Sequence, residues 1–499
     1  MAQSQTGGPQ LFPPELSWSS SKVDQCNHNS FQITPASGAS VASAGTNIRF
    51  SFPTTNLMDF SKSVVNFRVV CAGAGARAPV NASYLFSRLQ VLAGGQTLCV
   101  VNDFGLTEWV KYVGSDAKPC QHKHDFLATT MDGAGGKLLA NNPETYAAGT
   151  PMRFSMNLGA LAHASPAIVP LDMLPSIEFI LTVAGADVLS KCLGVAATGS
   201  PTATAPQLSM PNPAAATFSI EDATLVASMY TIGNENYRAA LGRRLAETGS
   251  VELILPKQMT VFSSSWTGSS RFSYSSHCLD RVHTVWRSTA AGYAYNVQKQ
   301  PAIVAGGVIL PFTGATSGAG MDASVYGAGL LSGAGSAEYT SAHQQLQFPS
   351  SAAGVNGGPV LGIAAGAGGI VTPATKFNFS GLTASSLNYR INSALVPQFD
   401  ASPFQWAALS AEANEVEKTK YSTFASFLHN YFVMSYRLSL PNSGAKPCLS
   451  GMNTLGSGNA FIEVVSGGQV ATGNYDSTSI CESTSVVQIG MGRQIVVIT

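Results

Sequence analysis

One short segment of the chain concentrates side chains that bind metal ions. Cys120, His122 and His124 stand at alternate positions in Cys-Gln-His-Lys-His-Asp. Residues two apart on a strand share a face, so these three could offer a thiolate and two imidazoles to a zinc ion. A lysine lies among them, and no second ligand cluster completes the set. We interpret the segment as a polar loop and predict no metal and no cofactor, with these three residues as the candidate ligands.

Two glutamates inside apolar strand patterns could form a catalytic pair. Glu178 stands in Ser-Ile-Glu-Phe-Ile, and Glu463 stands in Ala-Phe-Ile-Glu-Val. Glycoside hydrolysis uses two carboxyl groups at a set separation, as acid and as nucleophile or base. Nothing in the sequence fixes that separation. We expect each glutamate instead to be held against an arginine or to lie at a sheet edge.

Other signatures of enzymes are missing from the sequence. It contains no Gly-x-Ser-x-Gly pentapeptide, which exposes the nucleophile of α/β-hydrolases. The nearest phosphate loop, at 131–138, lacks the leading glycine and has Leu138 where a hydroxyl must reach Mg²⁺. The remaining histidines are dispersed, so no nucleophile and base can be paired. The sequence predicts no catalytic residues and a protein that is not an enzyme.

The charge content is low for a chain with this much apolar material. Lys and Arg number 27, Asp and Glu also number 27, and together they make up 11 % of 499 residues. Ordinary soluble domains carry roughly 25 % charge. Disordered chains combine low hydrophobicity with high net charge, which does not describe a chain with 45 % apolar residues. Zero net charge also argues against a binder that neutralises nucleic-acid phosphates.

The cysteines and the first residues bear on the compartment. The eight cysteines are scattered without a Cys-x-x-Cys pair, which does not predict a disulfide framework or a zinc ribbon. The first residues lack the basic and apolar regions of a signal peptide. The most apolar stretch, 359–372, is shorter than the roughly 20 residues that span a bilayer. We expect a soluble intracellular product with reduced, mostly buried thiols.

Most of the chain shows strand patterning, with alternating apolar residues bounded by Gly, Pro, Asn and Ser. Convincing helices are predicted only over 104–113, 237–247 and 403–418. Many short strands without a helix after each predict an antiparallel sandwich or barrel. The predicted strands are 47–52, 63–71, 89–92, 97–101, 152–158, 176–183, 217–232, 250–262, 279–286, 387–391, 432–440, 460–465 and 485–499.

A weak repeat relates the two halves of the chain. A strand carrying Arg88 leads through a tight turn to a second strand and a short helix with Trp109. Arg390 and Trp406 occupy the corresponding places in the second half. Asp103 and Asp400 precede these helices, and a carboxylate there can accept bonds from the first N–H groups. The pattern predicts two copies of one β unit, with the two aspartates as helix caps.

The repeat divides the chain into four parts. We predict an extended amino-terminal arm at 1–30, a first β unit at 31–233, a linker helix at 234–249 and a second β unit at 250–499. An insertion at about 301–373 interrupts the second unit. It is dominated by Gly, Ala, Ser and Thr. Its apolar runs give it something to bury, so we expect short strands within it.

The order of these motifs resembles that of the double jelly-roll major capsid proteins of icosahedral DNA viruses. The motifs are Tyr-Leu-Phe-Ser-Arg-Leu-Gln-Val-Leu-Ala-Gly-Gly-Gln at 84–96, Leu-Pro-Ser-Ile-Glu-Phe-Ile-Leu at 174–181, Tyr-Arg-Ile-Asn-Ser-Ala-Leu-Val-Pro-Gln-Phe at 389–399, and Leu-Ser-Leu-Pro-Asn-Ser-Gly-Ala-Lys-Pro-Cys-Leu-Ser-Gly at 438–451 followed by Ala-Phe-Ile-Glu-Val. The resemblance covers roughly 30–499 and is closest to polinton-like viruses, virophages and nucleocytoplasmic large DNA viruses. The insertion at 301–373 departs from a minimal roll.

The resemblance implies an all-β fold of two consecutive eight-stranded antiparallel jelly rolls with a few short helices. It implies a homotrimer that forms a pseudo-hexagonal capsomer and meets neighbouring capsomers, minor capsid or cement proteins and penton proteins, often over an internal viral membrane. No catalytic residue and no sequence-specific nucleic acid is implied. The protein would be assembled inside the host cell and reside in the virion capsid. The insertion would be an outward-facing tower or loop of the second roll.

Two other interpretations of the sequence stay open. A single-roll shell protein that contacts RNA would normally carry a basic amino-terminal arm, but the first 50 residues hold only Lys22 and Arg49. A β-sandwich glycan-binding protein or glycanase would agree with the Gly-, Ser- and Thr-rich loops. It would normally bring a signal peptide and exposed aromatic platforms.

Overall fold

A computed structural model of the chain describes most of two β domains. The described residues are 26–36, 41–72, 76–77, 82–115, 126–129, 151–195, 208–209, 217–232, 235–288, 296–297, 302–305, 308–311, 371–375, 379, 384–416, 419, 424, 427–428, 431–440, 450–455, 461–468, 475–490 and 493–498. Most of the predicted arm at 1–30 and most of the insertion at 301–373 lie outside them.

The first half of the chain forms fourteen strands and one α-helix in the described ranges. They are β1 (Cys26–Ile33), β2 (Val41–Ala42), β3 (Asn47–Ser51), β4 (Leu57–Ala72), β5 (Ala76–Arg77), β6 (Phe86–Ala93), β7 (Gln96–Asn102), α1 (Phe104–Val113), β8 (Phe126–Thr129), β9 (Pro151–Asn157), β10 (Ile168–Pro170), β11 (Ile177–Val183), β12 (Ser190–Val195), β13 (Leu208–Ser209) and β14 (Thr217–Ile232).

The second half begins with a helix and continues as strands. The elements are α2 (Glu235–Thr248), β15 (Ser250–Ser263), β16 (Ser269–Ser273), β17 (Leu279–Ser288), β18 (Asn296–Val297), β19 (Ala302–Ala305), β20 (Val308–Pro311), β21 (Val371–Thr375), β22 (Ser386–Ile391), β23 (Ala394–Val396), α3 (Pro403–Ala413), β24 (Met434–Arg437), β25 (Phe461–Gly467), β26 (Tyr475–Gly490) and β27 (Ile495–Ile498).

The first half folds as a jelly roll, here called roll 1. One sheet, sheet 1A, has the order β1-β14-β4-β9-β8, and the facing sheet, sheet 1B, has the order β3-β11-β6-β7. The eight main strands, numbered by chain position, therefore run 1-8-3-6 in one sheet and 2-7-4-5 in the other. First and last strands pair, as do second and seventh, which is the connectivity of a jelly roll.

The second half repeats this order as roll 2. Sheet 2A runs β15-β26-β17-β24, and sheet 2B runs β16-β25-β22-β23. Numbered within roll 2, the strands again run 1-8-3-6 and 2-7-4-5. The predicted fold class, two consecutive eight-stranded antiparallel rolls with a few short helices, is confirmed.

Each roll buries an aromatic-rich core between its two sheets. In roll 1, strands alternate between buried and half-buried residues, and Phe50, Phe86 and Phe179 are fully buried. In roll 2, Trp266 and Trp286 stack edge to face with ring centroids 5.7 Å apart. Alternation places every second side chain of a strand inside, so the period-two pattern of the sequence is the direct cause of both cores.

The predicted strand-turn-strand-helix repeat is present in both rolls. In roll 1 it is β6, β7 and α1, and in roll 2 it is β22, β23 and α3. In each roll the two strands pair as a hairpin, and the helix follows the fifth strand. The predicted helix over 104–113 has the bounds of α1. The helix predicted over 403–418 ends at Ala413, because the backbone turns out of the helix at Asn414 and Glu415 has φ +56°.

The predicted capping residues are wrong in both rolls. Asp103 does precede α1, but it adopts a left-handed backbone with φ 49°, and its side chain accepts no capping bond. Asp400 does not cap α3. That role belongs to Ser402, whose hydroxyl accepts from the Gln405 N–H while the Gln405 side chain accepts from the Ser402 N–H. Such a reciprocal pair satisfies two N–H groups that the helix leaves unbonded.

A third sheet connects loops of the two rolls. Its strand order is β13-β12-β21-β18, with β5 also paired to β12. Strands β5, β12 and β13 belong to roll 1, whereas β18 and β21 flank the insertion in roll 2. The first apolar run of the insertion forms a hairpin, β19 and β20. The strand that closes the insertion is therefore bonded to roll 1 and not to roll 2 alone.

Strand β1 and helix α2 lie at the two ends of roll 1. Strand β1 begins at Cys26 and pairs with β14 over eight residues, so the last part of the predicted arm lies along sheet 1A. Helix α2 joins β14 to β15, where the linker helix is predicted. In the described part of the chain, no helix is both long and apolar enough to cross a membrane.

Candidate functional site: matched surfaces on the two rolls

The candidate metal ligands are not placed by the structure. Cys120, His122 and His124 lie outside the described residues. Within the described ranges, no group of three or more His, Cys, Asp or Glu side chains is arranged to hold a metal ion. The expectation of a polar loop at this segment stays a prediction.

The two strand glutamates occupy equivalent strands, the seventh of each roll. Glu178 on β11 pairs with Arg49 on β3, and Glu463 on β25 lies 3.4 Å from Arg390 on β22, measured from carboxylate oxygen to guanidinium nitrogen. They belong to different sheets of different rolls, and an arginine binds each. The expectation that an arginine explains each glutamate is confirmed, and this geometry does not make a glycosidase pair.

The buried thiols are poor nucleophiles. Burial raises the pKa of Cys71 to about 11 and that of Cys99 to about 11. Burial also raises the pKa of Cys278 to about 11, and that of Cys481 well above the usual range of a thiol. Since the thiolate is the reactive form, these four residues act as small core side chains.

The main polar feature is a row of three charged residues that occurs once on each roll. In roll 1, Glu221 on the eighth strand lies opposite Arg68 on the third, and Arg68 lies opposite Arg153 on the sixth. In roll 2, the corresponding strands carry Glu482, Arg281 and Arg437 in the same register. We call these sets the roll 1 row and the roll 2 row. Both rows cross the outer face of the first sheet of their roll.

The roll 2 row is half-buried where the two rolls meet, since the side chains of Arg281, Glu482 and Arg437 are 29 %, 17 % and 13 % exposed. Cys481 and Met434 point into the core of roll 2, so the neighbouring Glu482 and Ser435 point the other way, toward roll 1. Helix α1 of roll 1 lies against part of this face. Its residues Val110 and Val113 line a small gap with Ser435. Eight of the ten residues of α1 are buried, which is unusual for a helix with a solvent-facing side.

Glu482 is held by donors and charges from several elements. The Gln258 side-chain amide donates to it at 2.8 Å, His283 lies 3.5 Å away and Arg281 lies 3.7 Å away. Burial alone would raise the pKa of Glu482, but His283, Lys111 and Arg281 together hold it well below the usual range of a carboxyl group. A carboxylate this enclosed stays charged only because its partners compensate for lost hydration.

Roll 1 supplies part of that compensation through α1. Lys111 donates to Glu108 at 2.8 Å, one turn away on the same helix. Burial would lower the pKa of Lys111, but the charges of Glu108 and Glu482 raise it above its ordinary value. Glu482 belongs to roll 2, so this charge interaction connects the two rolls. The row on roll 2 thus forms part of the interface between the rolls.

The roll 1 row is more exposed, with the side chains of Arg68 and Glu221 36 % and 23 % exposed. Arg68 and Arg153 line an open cleft with Asn66, Ser155 and Asp222. Arg68 pairs with Glu221 at 2.7 Å and with Asp222 at 3.2 Å. Arg153 is exposed, and none of the described residues forms an ion pair with it.

Helix α3 is the topological counterpart of α1 and is only half covered. Its inner face is buried through Trp406, Ser410 and Ala413. The indole Nε1 of Trp406 donates to the carbonyl of Leu387 at 2.8 Å, which fixes the helix on its own roll. Its outer face includes Phe404, which is 65 % exposed. Roll 2 therefore presents a free helix face, whereas roll 1 presents a free charged row.

Sequence reasoning did not find the charged rows. The predicted strand over 485–499 begins after Glu482, whereas β26 begins at Tyr475, so the glutamate was not placed on a strand. Serines occupy buried positions of β26, which hides the apolar alternation of the strand. The available signal was the alternation of half-buried Glu482 and Thr484 with buried Cys481 and Ser483, which continues into the predicted strand.

This arrangement of sixteen main strands in two equivalent rolls defines a double jelly-roll protein. The structure is similar to that of PBCV-1 VP54 in a crystal structure fitted into a cryo-EM reconstruction of the virophage Sputnik, with a TM-score of 0.54, 12 % identity, and 95 % of this chain and 97 % of that chain covered. It is also similar to a chain of the quasi-atomic PBCV-1 virus capsid, with a TM-score of 0.52, 13 % identity, and coverage of 95 % and 97 %. No family model and no curated protein sequence matches the chain. At these identities the likeness establishes the double jelly-roll fold.

Proposed function

We propose that the protein is a major capsid protein, a structural subunit of an icosahedral DNA virus shell. One observation carries the proposal: two rolls of identical strand order follow each other in a chain with the fold of a viral capsid protein. Two equivalent rolls let one chain occupy two equivalent places in a ring. The protein would be assembled inside the host cell and would reside in the virion capsid.

Three chains with two rolls each make a ring of six similar units, which is a pseudo-hexagonal capsomer. Such capsomers would tile the shell and contact neighbouring capsomers, minor capsid or cement proteins and penton proteins. An underlying viral membrane is consistent with this role. Contacts between capsomers can each be weak, because many of them act together.

The composition supports a protein with neighbours on several sides. Only 11 % of its residues are charged, and the cores of protein interfaces are depleted of charge. The acidic and basic residues are equal in number, so identical subunits repel each other little. We therefore place much of the lateral surface of each roll in subunit contacts.

The proposed role is structural and needs no catalytic residue. The strand glutamates are paired with arginines, and the four buried thiols have raised pKa values. A glycan-binding β-sandwich would instead use exposed aromatic platforms. Four tryptophans of the described ranges, Trp109, Trp266, Trp286 and Trp406, are each at most 4 % exposed, so they favour a packing role.

The native mass of the purified protein tests the proposal. We expect a complex of three times the chain mass of 51.8 kDa in light scattering or native mass spectrometry, and ring-shaped particles in negative-stain electron microscopy. A strictly monomeric protein at all concentrations and ionic strengths would overturn it. Binding on a glycan array, or polysaccharide turnover by such a monomer, would favour the glycan-binding alternative.

A further inference from the structure

The contact between the two rolls has two sides, the helix after the fifth strand and the charged row. Each roll carries both sides, but within the chain only the helix of roll 1 and the row of roll 2 meet. Helix α1 of roll 1 lies against the roll 2 row near Glu482, whereas the outer face of α3 is exposed and the roll 1 row is more exposed than its counterpart. We infer that the outer face of α3 in one copy of this chain packs over the roll 1 row of a second copy. This inference rests on the proposed function, because it names the surfaces through which the subunits would join.

The internal contact gives the geometry of the proposed one. Within the chain, the fifth strand and the following helix of roll 1 approach the first, eighth, third and sixth strands of roll 2. The Thr260 hydroxyl on β15 donates to the carbonyl of Asn102 on β7 at 3.1 Å, and Lys111 on α1 interacts with Glu482. Repeating this contact between chains brings β23 and α3 onto β1, β14, β4 and β9 of the next copy.

Strand β1 shows the surface that such a contact would cover. Seven of its eight residues are exposed, so it gains little from folding beyond its bonds to β14. Its counterpart β15 is partly buried against β7 of roll 1. Phe31 on β1 is 45 % exposed. An edge strand left open on both faces is prone to unwanted pairing, and a docked neighbour would cover it.

The exposed aromatic residues of roll 2 lie on the opposite half of the contact. Phe404 begins the outer face of α3, and Phe399 in the preceding loop is 47 % exposed. Phe404 contacts one ring of its own chain, Phe424, at a centroid distance of 5.0 Å and stays largely open. Aromatic side chains of this kind are the usual anchors of protein interfaces.

The charges on the two surfaces are complementary. Glu412 is exposed on α3, and Arg153 is exposed in the roll 1 row; neither has an ion-pair partner among the described residues. In the buried counterpart, Arg437 of the roll 2 row is 2.7 Å from Glu415, which follows α3 in the same chain. Across the internal contact the charge is supplied by Lys111 of α1, and in the proposed contact Glu412 of one copy would pair with Arg153 of the next. Complementary charge of this kind fixes partner and register.

The contact joins two different surfaces, so it is heterologous and each copy can offer one half to each neighbour. Heterologous contacts form a closed ring when their rotation closes. Three chains alternate six rolls around a ring, and every junction, within or between chains, would then use the same pair of surfaces. The proposed trimer and the internal contact are consistent with one geometry.

Substitution of exposed residues on each half tests the inference. We expect Phe404→Ser and Arg153→Glu each to convert the trimer to monomer at a concentration where the unsubstituted protein is trimeric, with a rise of about thirtyfold or more in dissociation constant. Leu440→Ser is the matched control, since Leu440 is also 65 % exposed but lies off the proposed surface. Circular dichroism and a thermal melt show whether each variant is folded. Ala408→Arg on the exposed face of α3 replaces any variant that is not.

Mixing the two broken variants tests the head-to-tail arrangement. The Arg153→Glu copy keeps an intact α3, and the Phe404→Ser copy keeps an intact roll 1 row. Their mixture should form a one-to-one dimer by native mass spectrometry and no closed ring. A mixture that stays monomeric, or variants that remain trimeric like the Leu440→Ser control, would overturn the docking surface while leaving the proposed capsid role standing. A monomeric unsubstituted protein would instead contradict the capsid role.

Discussion

Rolls 1 and 2 each place one glutamate and two arginines on the same strands, in different surroundings. The roll 2 row lies beneath α1, where Glu482 is surrounded by Gln258, His283 and Arg281. The roll 1 row borders an open cleft. In water an ion pair adds little stability, whereas a buried charge must be compensated by several partners. Substitutions in the row should therefore cost little stability where the row is exposed and more where a helix lies against it.

The two helices show the same contrast. Helix α1 is enclosed by its own roll and by roll 2, whereas α3 is enclosed on one face only. Gly114, just after α1, approaches the end of α3 so closely that a Cβ atom there would lie 2.7 Å from the Asn414 side chain. Neighbouring residues therefore restrict the side chains on all sides of α1. On α3 they restrict only the positions that face its own roll.

The largest difference in stability is expected between substitutions on the buried face and on the exposed face of α3. Trp406→Ala should lower the free energy of unfolding by about 4 kcal/mol, because it removes a fully buried indole and leaves a cavity. Phe404→Ala, at an exposed position, should cost less than about 0.5 kcal/mol in the isolated subunit. Urea unfolding of both variants at a concentration where the chain is monomeric measures the difference. Equal losses would mean that the outer face of α3 is already packed within the chain.

The next largest difference in stability is expected between matched substitutions in the two charged rows. Glu482→Gln should cost about 3 kcal/mol of unfolding free energy, because it leaves Arg281 without its counter-ion and Lys111 with Glu108 alone. Glu221→Gln in the roll 1 row should cost at most about 1 kcal/mol, because water screens that pair. The measurement is chemical denaturation of matched variants. A loss from Glu221→Gln as large as that from Glu482→Gln would show that the two rows do not differ in burial.

Acid should reduce the stabilising contribution of the roll 2 row in particular. The pKa of Glu482 is lowered in the folded state, so its contribution is present above the ordinary glutamate pKa of about 4.3 and is lost as pH falls toward the folded-state value. We expect Glu482→Gln to show a smaller drop in unfolding free energy than the unsubstituted protein between about pH 6 and about pH 3. Parallel losses in the two proteins would mean that other carboxylates carry the acid response.

The smallest expected effect concerns the helix starts. Ser402→Ala removes the hydroxyl that caps α3 and should cost about 1 kcal/mol. Asp103→Asn at the start of α1 should change stability by less than about 0.5 kcal/mol, because its side chain makes no capping bond and Asn tolerates a left-handed backbone. Thermal unfolding of the two variants gives the comparison. A larger loss at Asp103 would reveal a role for its carboxylate that the helix geometry does not contain.

Local patterns in the sequence were sufficient for the strands, the short helices and the duplication. The alternation over 217–232 predicted the bounds of β14, because buried and half-buried residues alternate on either side of the register shift at Glu221 to Thr224. The repeat around Arg88 and Arg390 predicted the matching hairpins and helices. Each of these features depends on neighbours along the chain or on a buried face, which composition and spacing record.

The caps depend on the backbone conformation of the residue before the helix, and the charged rows depend on contacts between distant residues. An aspartate before a helix is a good cap only if its backbone is extended, and Asp103 is left-handed. Glu482 meets Arg281 across strands about 200 residues apart in sequence and meets Lys111 from the other roll. Nothing in the local pattern states which strand lies opposite, so these sites became visible only with the register of the sheets.

A cryo-EM reconstruction of the purified complex tests the central claim most directly. The claim is that the two rolls carry one contact in duplicate, filled once within the chain and once between chains. We predict a ring of three chains in which α3 of each copy lies over Glu221, Arg68 and Arg153 of the next. A ring in which the roll 1 row faces solvent and α3 contacts no neighbour would contradict it.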